Sequence, residues 1–274
     1  MASHDDVTYL HGFSDTEQQR LVRQARLAEG IIFRNIDYRG AGHVLEVGSG
    51  VGAQTEILLR RFPDMRVACV DLSADQLEAA RRNLGAMPWL DGRYSLHHAD
   101  ATDLPFGPRS FDGAFLCWVL EHVPSPARVL AEVRRVLAPG AVVYITEVMN
   151  ASFLLDPYSP HVWKYWTAFN EFQHAHGGDP FVGAKLGNLL LAGGFHDVTT
   201  EVKTFHLDNR EPAQRKTMVA YWEDLLLSAA DNLIADGRVS AEDVAAMRRE
   251  MHQVQNDPDA VFFYSFVQAR AVVY

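Results

Sequence analysis

The stretch His43-Val44-Leu45-Glu46-Val47-Gly48-Ser49-Gly50-Val51-Gly52 decides how this chain is read. Val44, Leu45 and Val47 form an apolar run that predicts a buried strand. Three glycines at alternate positions follow it. Beyond them Gln54, Ile57, Leu58 and Phe62 keep helical spacing. Strand, glycine turn and helix together make the ligand-binding corner of a doubly wound sheet. Glycine permits the tight turn and lets a ligand approach the backbone without meeting a Cβ.

Glycines alone do not name the ligand. Their spacing is Gly-x-Gly-x-Gly, not the Gly-x-Gly-x-x-Gly of dinucleotide folds. Glu46 stands just before the first glycine, where a carboxylate repels a pyrophosphate and tolerates a cation such as a sulfonium or an ammonium. Asp71 closes the next apolar run, Val67 to Val70. That position suits a carboxylate accepting hydrogen bonds from two ribose hydroxyls.

A length of 274 residues allows one large domain, or one domain with an inserted cap. A hydrophobic share of 48% beside 22% charged residues fits an ordinary globular protein. No apolar run approaches the roughly 20 residues that span a bilayer, and the polar, acidic start Met1 to Asp6 is not a signal peptide. We expect a cytoplasmic protein without membrane contact. The net charge of −10 argues against nucleic acid as a partner, because phosphate binding needs a positive field. Cys69 and Cys117 fall in predicted strands and read as core residues of a reduced compartment.

Ahead of the glycine turn, Ser14 and Glu17 form a capping-box pattern, and Leu21, Ala25, Ala28 and Ile32 continue with helical spacing. Strands are predicted at 43–47, 66–71, 93–98, 111–117, 141–148, 197–207 and 260–273, and helices at 52–61, 74–84, 126–137 and 181–192. Apolar strands alternating with amphipathic helices imply a parallel sheet covered on both faces, with all strand C-terminal ends on one edge. Gly48 to Gly52, Asp71, Asp100, Cys117 to His122 and Glu147 fall on that edge. Residues 150–188 are crowded with aromatics, Tyr158, Trp163, Tyr165, Trp166, Phe169 and Phe172 among them. Residues 211–256 predict two helices: Trp222, Leu225, Ala229 and Leu233 form one stripe, and Val244, Met247, Met251 and Val254 the other.

Residues 43–147 resemble the core of the class I S-adenosylmethionine (SAM) methyltransferases. The resemblance is carried by Leu45 to Gly52, by Asp71-Leu72-Ser73, by Asp100-Ala101 with Leu104-Pro105-Phe106, by Ser110-Phe111-Asp112 through Leu120-Glu121-His122-Val123, and by Leu137-Ala138-Pro139-Gly140. It implies an α/β fold: a doubly wound, seven-stranded, mostly parallel sheet with an antiparallel last strand, plus helical lid and cap insertions. Residues 1–274 then form a single domain. Within it, 1–40 are an N-terminal lid helix and 41–149 the SAM-binding core. Residues 150–192 are an aromatic cap and helix, and 193–274 the last strands with an inserted helical pair at 211–256.

The resemblance also implies roles. Gly48, Gly50 and Gly52 shape the turn against the methionine part of SAM, and Glu46 orders its amino end directly or through water. Asp71 holds the ribose; Leu72 and Ala101 flank the adenine and Asp100 accepts from its amino group. Cys117 and Trp118 lie below the methionine arm. Gln76 reaches the ribose or merely completes a helix cap with Ser73. Tyr9 closes over the cofactor or pins the first helix with Phe13.

Few obligatory catalytic groups are expected, because methyl transfer asks chiefly for alignment and exclusion of water. His122 is the first candidate base, or else caps the turn into Pro124. Glu147 is the second, as a base or an amine-binding group, and His11 the third. His97 and His98, adjacent on a strand, face opposite ways and cannot share an ion, so we expect no metal. No phosphate loop, nucleophile elbow, His-Glu-x-x-His or Cys-x-x-Cys motif occurs. The expected activity is methyl transfer from SAM, leaving S-adenosylhomocysteine (SAH), to a nitrogen or oxygen of a small organic metabolite by a monomer or homodimer. The rivals are a protein or RNA methyltransferase, a SAM-binding protein that transfers nothing, and a nicotinamide-dependent oxidoreductase. Glu46 and the Asp100 motif count against the last.

Overall fold

A computed structural model describes residues 12 and 14–274. The first helix, α1 (Asp15–Ile32), is capped by Ser14, whose Oγ accepts from the Glu17 amide at 3.2 Å. It buries Ala25, Ala28 and Ile32 against the core.

β1 (His43–Val47) lies between β2 (Arg66–Asp71) and β4 (Phe111–Cys117), parallel to both. β3 (Tyr94–His98) joins the far side of β2, and β5 (Leu137–Val148) the far side of β4. β8 (Val261–Val272) runs antiparallel to β5, and β7 (His196–Leu207) antiparallel to β8. The order β3-β2-β1-β4-β5-β8, with β7 beyond, is the expected doubly wound sheet with its reversed strand near one edge. The structure adds an eighth strand, β6 (Leu154–Asp156), which pairs with Val261 to Phe263.

The strands alternate their side chains between two cores. Val44, Val67, Cys69 and Phe115 face one layer together with α1 and α2 (Ala53–Arg61). Leu45, Val47, Val70 and Leu116 face the other, against Val129, Leu130 and Val133 of α4 (Pro126–Val136) and Leu186 and Leu190 of α6 (Leu186–Ala192). The right-handed crossovers leave the C-terminal ends of β1 to β5 on one edge. The register Val47↔Val70 and Val47↔Leu116 puts the glycine turn between the ends of β2 and β4.

The aromatic stretch folds as α5 (Pro160–Ala175), with Tyr165, Trp166, Phe169 and Phe172 buried. The insertion at 211–256 holds three helices where two were expected: α7 (Pro212–Ser228), α8 (Ala230–Ala235) and α9 (Ala241–Asn256). The Trp222-to-Leu233 stripe is continuous in spacing, yet the helix breaks at Ala229. Ser228 Oγ donates to the Leu225 carbonyl at 2.7 Å, the kind of local bond that competes with helix continuation. Among the described residues no helix is long and apolar enough to cross a membrane.

Candidate functional site

A cavity of about 470 Å³ opens along the C-terminal edge of the sheet. Its floor is the glycine turn and the ends of β2 to β5. Its cover comes from α1, α5 and α7, with Arg20, Trp166 and Tyr221 among the contributors. At one end, over β1 to β3, lie Gly48, Ser49, Gly50, Asp71, Leu72, Gln76, Asp100 and Ala101; Cys117, Trp118, Glu121 and His122 lie toward the other.

The turn is held from below. The amides of Gly48 and Ser49 both donate to the Val70 carbonyl, at 2.8 and 3.0 Å. Gly48 has φ +69°, and a Cβ there would stand 2.4 Å from Val119 Cγ2, so only glycine brings the turn this close to the end of β4. Asp71 Oδ2 accepts from the Gly50 amide at 2.8 Å and Oδ1 from the Ser73 amide at 2.9 Å. Burial raises its pKa, while those two amides oppose the rise. The carboxylate offers about four lone-pair directions against three backbone amides, Gly50, Ser73 and Leu72, so acceptor capacity remains for a ligand.

Asp100 Oδ1 accepts from the Thr102 amide at 2.7 Å. Gln76 donates its amide to Ser73 Oγ at 3.2 Å, so Ser73 caps α3 (Ala74–Gly85), but Gln76 Oε1 is buried without a hydrogen-bond partner. Ser49 Oγ is in the same condition. Buried unpaired polar atoms are few in folded proteins, and among the described residues five of the seven side chains with such an atom also contribute to the cavity wall: Ser49, Gln54, Gln76, Trp118 and Trp222.

β4 ends in a strained turn. Trp118 has φ +58°, a left-handed conformation that costs a bulky residue roughly 1–2 kcal/mol. Glu147 holds the segment that follows. Its Oε1 accepts from the amides of Val119 at 2.9 Å and Leu120 at 2.7 Å, and its Oε2 from that of Glu121 at 3.3 Å. Burial, then the charge of Glu121, pushes the Glu147 carboxyl up to about 8. Glu147 is completely buried and not part of the cavity wall. The expected place of Glu147 in the ligand space is thus corrected: its carboxyl holds the turn from behind the wall.

His122 does reach the cavity, with Nε2 3.6 Å from Glu121 Oε1. Glu121 is fixed in turn by α5, its Oε2 accepting from Gln173 Nε2 at 2.9 Å. Cys117 lines the cavity as a neutral thiol, because burial and then Glu147 raise its pKa far above the usual range.

Two further expectations need correction. Glu46 stands behind the turn rather than on the wall, its Oε2 accepting from Thr55 Oγ1 at 2.5 Å, so it ties β1 to α2. Gly52 is the N-cap of α2 at φ +76°, and a Cβ there would stand 2.9 Å from Leu84 Cδ1; it lets α2 approach α3 and does not face the ligand space. Tyr9 and His11 lie outside the described residues. His97 bonds to Ser95 Oγ and His98 to the Leu72 carbonyl, both through Nε2 at 2.8 Å. Among the described residues no group of three or more His, Cys, Asp or Glu could hold a metal ion.

Residues 45–145 match the family model described as methyltransferase domain. This core belongs to the class I SAM-dependent methyltransferases. The chain is 36% identical over 161 residues to the O-methyltransferase cnsE of Penicillium expansum, a stretch covering 57% of this chain and 54% of that protein. It is 34% identical over 137 residues to a demethylmenaquinone methyltransferase of Symbiobacterium thermophilum, covering 48% and 52%. The chain thus spans about half the length of these curated relatives. Its fold is similar to that of phosphoethanolamine N-methyltransferase 2 of Haemonchus contortus in complex with SAM: TM-score 0.61 at 17% identity, covering 100% of this chain and 60% of the other.

Outside the methyltransferase core, sequence reading missed the link between α1 and α7. Both oxygens of Glu17 accept from Arg20, at 2.6 and 2.7 Å, and Arg20 Nη1 donates to Tyr221 OH at 2.7 Å. It also missed Gln173 and Tyr264, and gave no role to Ser49 and Glu121, which it had placed on the binding edge. A buried charge such as Arg20 announces a partner, but no pattern in the chain says which.

Proposed function

We propose that the protein transfers the methyl group of SAM to a nitrogen or oxygen of a small organic metabolite, leaving SAH. The observation that carries this reading is the acid at the end of β2, set on the cavity wall beside the glycine turn. Asp71 keeps acceptor capacity after its backbone bonds, and Asp100 and the open side of Gly50 lie along the same wall.

These residues fit the cofactor. Asp71 is suited to the ribose hydroxyls, with Gln76 beside it, and Leu72, 48% exposed, and Ala101 offer apolar surface to the adenine. Asp100 can accept from an exocyclic amine. A Cβ at Gly50 would meet nothing within 4 Å, so the cavity side of the turn is open to the amino-acid arm. SAM, when bound, supplies a methyl group on a positively charged sulfonium. Four carboxylates on the wall, Asp71, Asp75, Asp100 and Glu121, against the guanidinium of Arg20, suit such a cation.

The chain's own task is alignment and dryness. The turn held by Glu147 sets Trp118 and His122 against the ligand space. α1, α5 and the 211–256 helices act as lid and substrate-selecting cover. His122, beside the Glu121 carboxylate, is the group to take a proton from the acceptor. The O-methyltransferase and demethylmenaquinone methyltransferase relatives support a small-molecule acceptor.

The test uses methyl-labelled SAM with cell extract divided into small-molecule, protein and RNA fractions. Asp71→Asn is the control, because Asp71→Ala also removes the caps on Gly50 and Ser73. Label confined to small molecules is the expected result. Label in protein or RNA overturns the substrate class and leaves the cofactor; no SAH binding at all overturns the reading entirely.

A further inference from the structure

Glu121 is the acid on the cavity wall at the acceptor end, and its side chain keeps 11% of its surface open. α5 and the turn after it fix this residue. Gln173 Nε2 donates to Glu121 Oε2 at 2.9 Å and to the Glu121 carbonyl at 3.2 Å. The Asp179 amide donates to the same carbonyl at 2.8 Å. Among the described residues the ion-pair partner of Glu121 is the His122 ring, Nε2 3.6 Å from Oε1, and no lysine or arginine joins it. A carboxylate mostly withdrawn from water, with no fixed positive partner, favours a cation beside it. Its field reaches the neighbouring wall: after burial, the charge of Glu121 is the next cause that holds the Tyr264 hydroxyl well above the usual phenol range.

The same end offers little to an anion. Among the described residues the wall carries one guanidinium, Arg20, and no lysine. Arg20 is already bound to both oxygens of Glu17 and to Tyr221. A phosphate or carboxylate on the acceptor would have to compete with a buried carboxylate for Arg20, and it would face Glu121.

The rings place an apolar body next to the acid. Trp166, Phe169 and Gln173 are three and four residues apart, on one buried face of α5. Trp166 stacks on Phe169 with centroids 5.1 Å apart. Tyr264 completes this part of the wall, its hydroxyl donating to Asn150 Oδ1 at 2.9 Å. The carboxylate that Gln173 holds is thus set about one helical turn, 5–6 Å, along α5 from Phe169. Ring faces accept an apolar group and attract a cation.

Resting on the methyltransferase reading above, we propose that the acceptor is an amine on a short aromatic or apolar body, without an anionic group, and that Glu121 selects it. The ammonium is drawn to Glu121, and the body lies against Trp166, Phe169 and Tyr264. The ammonium gives one proton to the His122 ring, which passes it to solvent. The nitrogen lone pair freed in this way forms the new N–C bond as the S–C bond of the sulfonium breaks. The bonding pair leaves with sulfur as a neutral thioether, and the methylated nitrogen carries the positive charge beside Glu121.

Binding tests this without turnover. The protein saturated with SAH is titrated calorimetrically with phenethylamine, 2-phenylethanol, phenylacetate and phosphoethanolamine. The first three pair a ring with a short arm and differ in charge; the fourth puts the amine on a phosphate. Phenethylamine is expected to bind at least ~10-fold more tightly than each of the others. Glu121→Gln keeps an acceptor for Gln173 and loses the charge. It should bring phenethylamine and 2-phenylethanol within ~3-fold of each other, with SAH affinity changed by no more than ~3-fold. Binding of any other compound as tight as that of phenethylamine overturns the proposal, and the native protein alone decides this. So does a preference for phenethylamine that survives Glu121→Gln, or no binding of any of the four. Loss of SAH binding in Glu121→Gln would assign Glu121 to the cofactor and overturn the proposal as well. In all these cases SAH still binds the native protein, and only the acceptor inference falls. If SAH does not bind the native protein, the methyltransferase reading falls and takes the inference with it.

Discussion

At the β1–β3 end of the cavity the polar groups come from backbone turns and from acids at strand ends. Gly50 and Asp71, bonded at 2.8 Å, are 21 residues apart. In the helical cover opposite the sheet edge they come from helices distant in the chain, as with Arg20 and Tyr221, bonded at 2.7 Å across 201 residues. The first end is rigid because the sheet sets it; the second is as rigid as the docking of its helices. A scaffold of this kind can keep one cofactor and change acceptors by changing only the cover. If so, damage at the first end should abolish cofactor binding, whereas damage at the second should alter acceptor binding or local opening and spare the cofactor.

The largest expected effect is from Gly48→Ala. Its methyl would collide with Val119, and its φ of +69° is costly for alanine. Stability should fall by roughly 2–4 kcal/mol, and displacement of the turn should weaken SAH binding ~100-fold. Adding Val119→Ala removes the collision and leaves the backbone cost, so the double variant should recover part of the loss. No recovery would mean that the contact with β4 does not set the turn. Next is Asp71→Asn, which keeps one acceptor and removes the charge. SAH should bind ~10- to 100-fold more weakly, the range for a hydrogen bond to a charged group, with acceptor affinity in the surviving complex nearly unchanged.

The same division explains what could be read from sequence. Asp71, Asp100 and Gly48 sit within a residue or two of a strand end, and Gly50 follows in the same turn, where sheet geometry alone sends them to the binding edge. Glu147 sits there too and was misplaced. Strand alternation holds the reason: Val148 lines the cavity, so its neighbour Glu147 turns away from it, under the Val119–Glu121 amides. Glu46 was misplaced for a similar reason, since Val47 next to it takes the cavity side. The helix break at Ala229 and the short strand β6 depend on a single side-chain bond and on three residue pairs, too little for a periodicity to register. The Arg20–Tyr221 link is a tertiary fact with no local signature.

Glu46 gives a test with a sign. Burial, partly offset by Thr55 and reinforced by Asp71, raises its carboxyl to about 8. A folded-state pKa raised above the unfolded value near 4.5 means that the folded protein holds the extra proton between those two pH values. The stability this group contributes is therefore complete below about pH 4.5 and is lost as pH rises to about 8, at no more than about 1.4 kcal/mol per pH unit. Urea midpoints at pH 5.5 and 7.5 should differ less in Glu46→Gln than in the native protein. An identical pH dependence in both would mean that Glu46 ionises freely and that the β1–α2 tie is not the low-dielectric contact described.

The smallest effect sharpens the comparison most. Tyr221→Phe removes one hydroxyl, keeps the ring 5.8 Å from the Arg20 guanidinium carbon, and leaves the Glu17–Arg20 pair in place. A single hydrogen bond to a charged group is lost, worth about 1–2 kcal/mol. Global stability should fall by about the same amount. If α1 opens on its own, the loss should also appear as roughly 5- to 10-fold faster amide hydrogen exchange within α1, with the amides of β1 and β2 that exchange through local openings unaffected. Arg20→Met would confuse this, because it strands the buried Glu17 carboxylate. Equal acceleration in α1 and in β1–β2 would show that the cover and the sheet unfold together, and the cavity would then have one rigid end-to-end wall rather than two separable ends. Acceleration confined to α1 would identify the first helix as the part of the cover that can lift alone, which is what entry to a cavity roofed by α1, α5 and α7 requires.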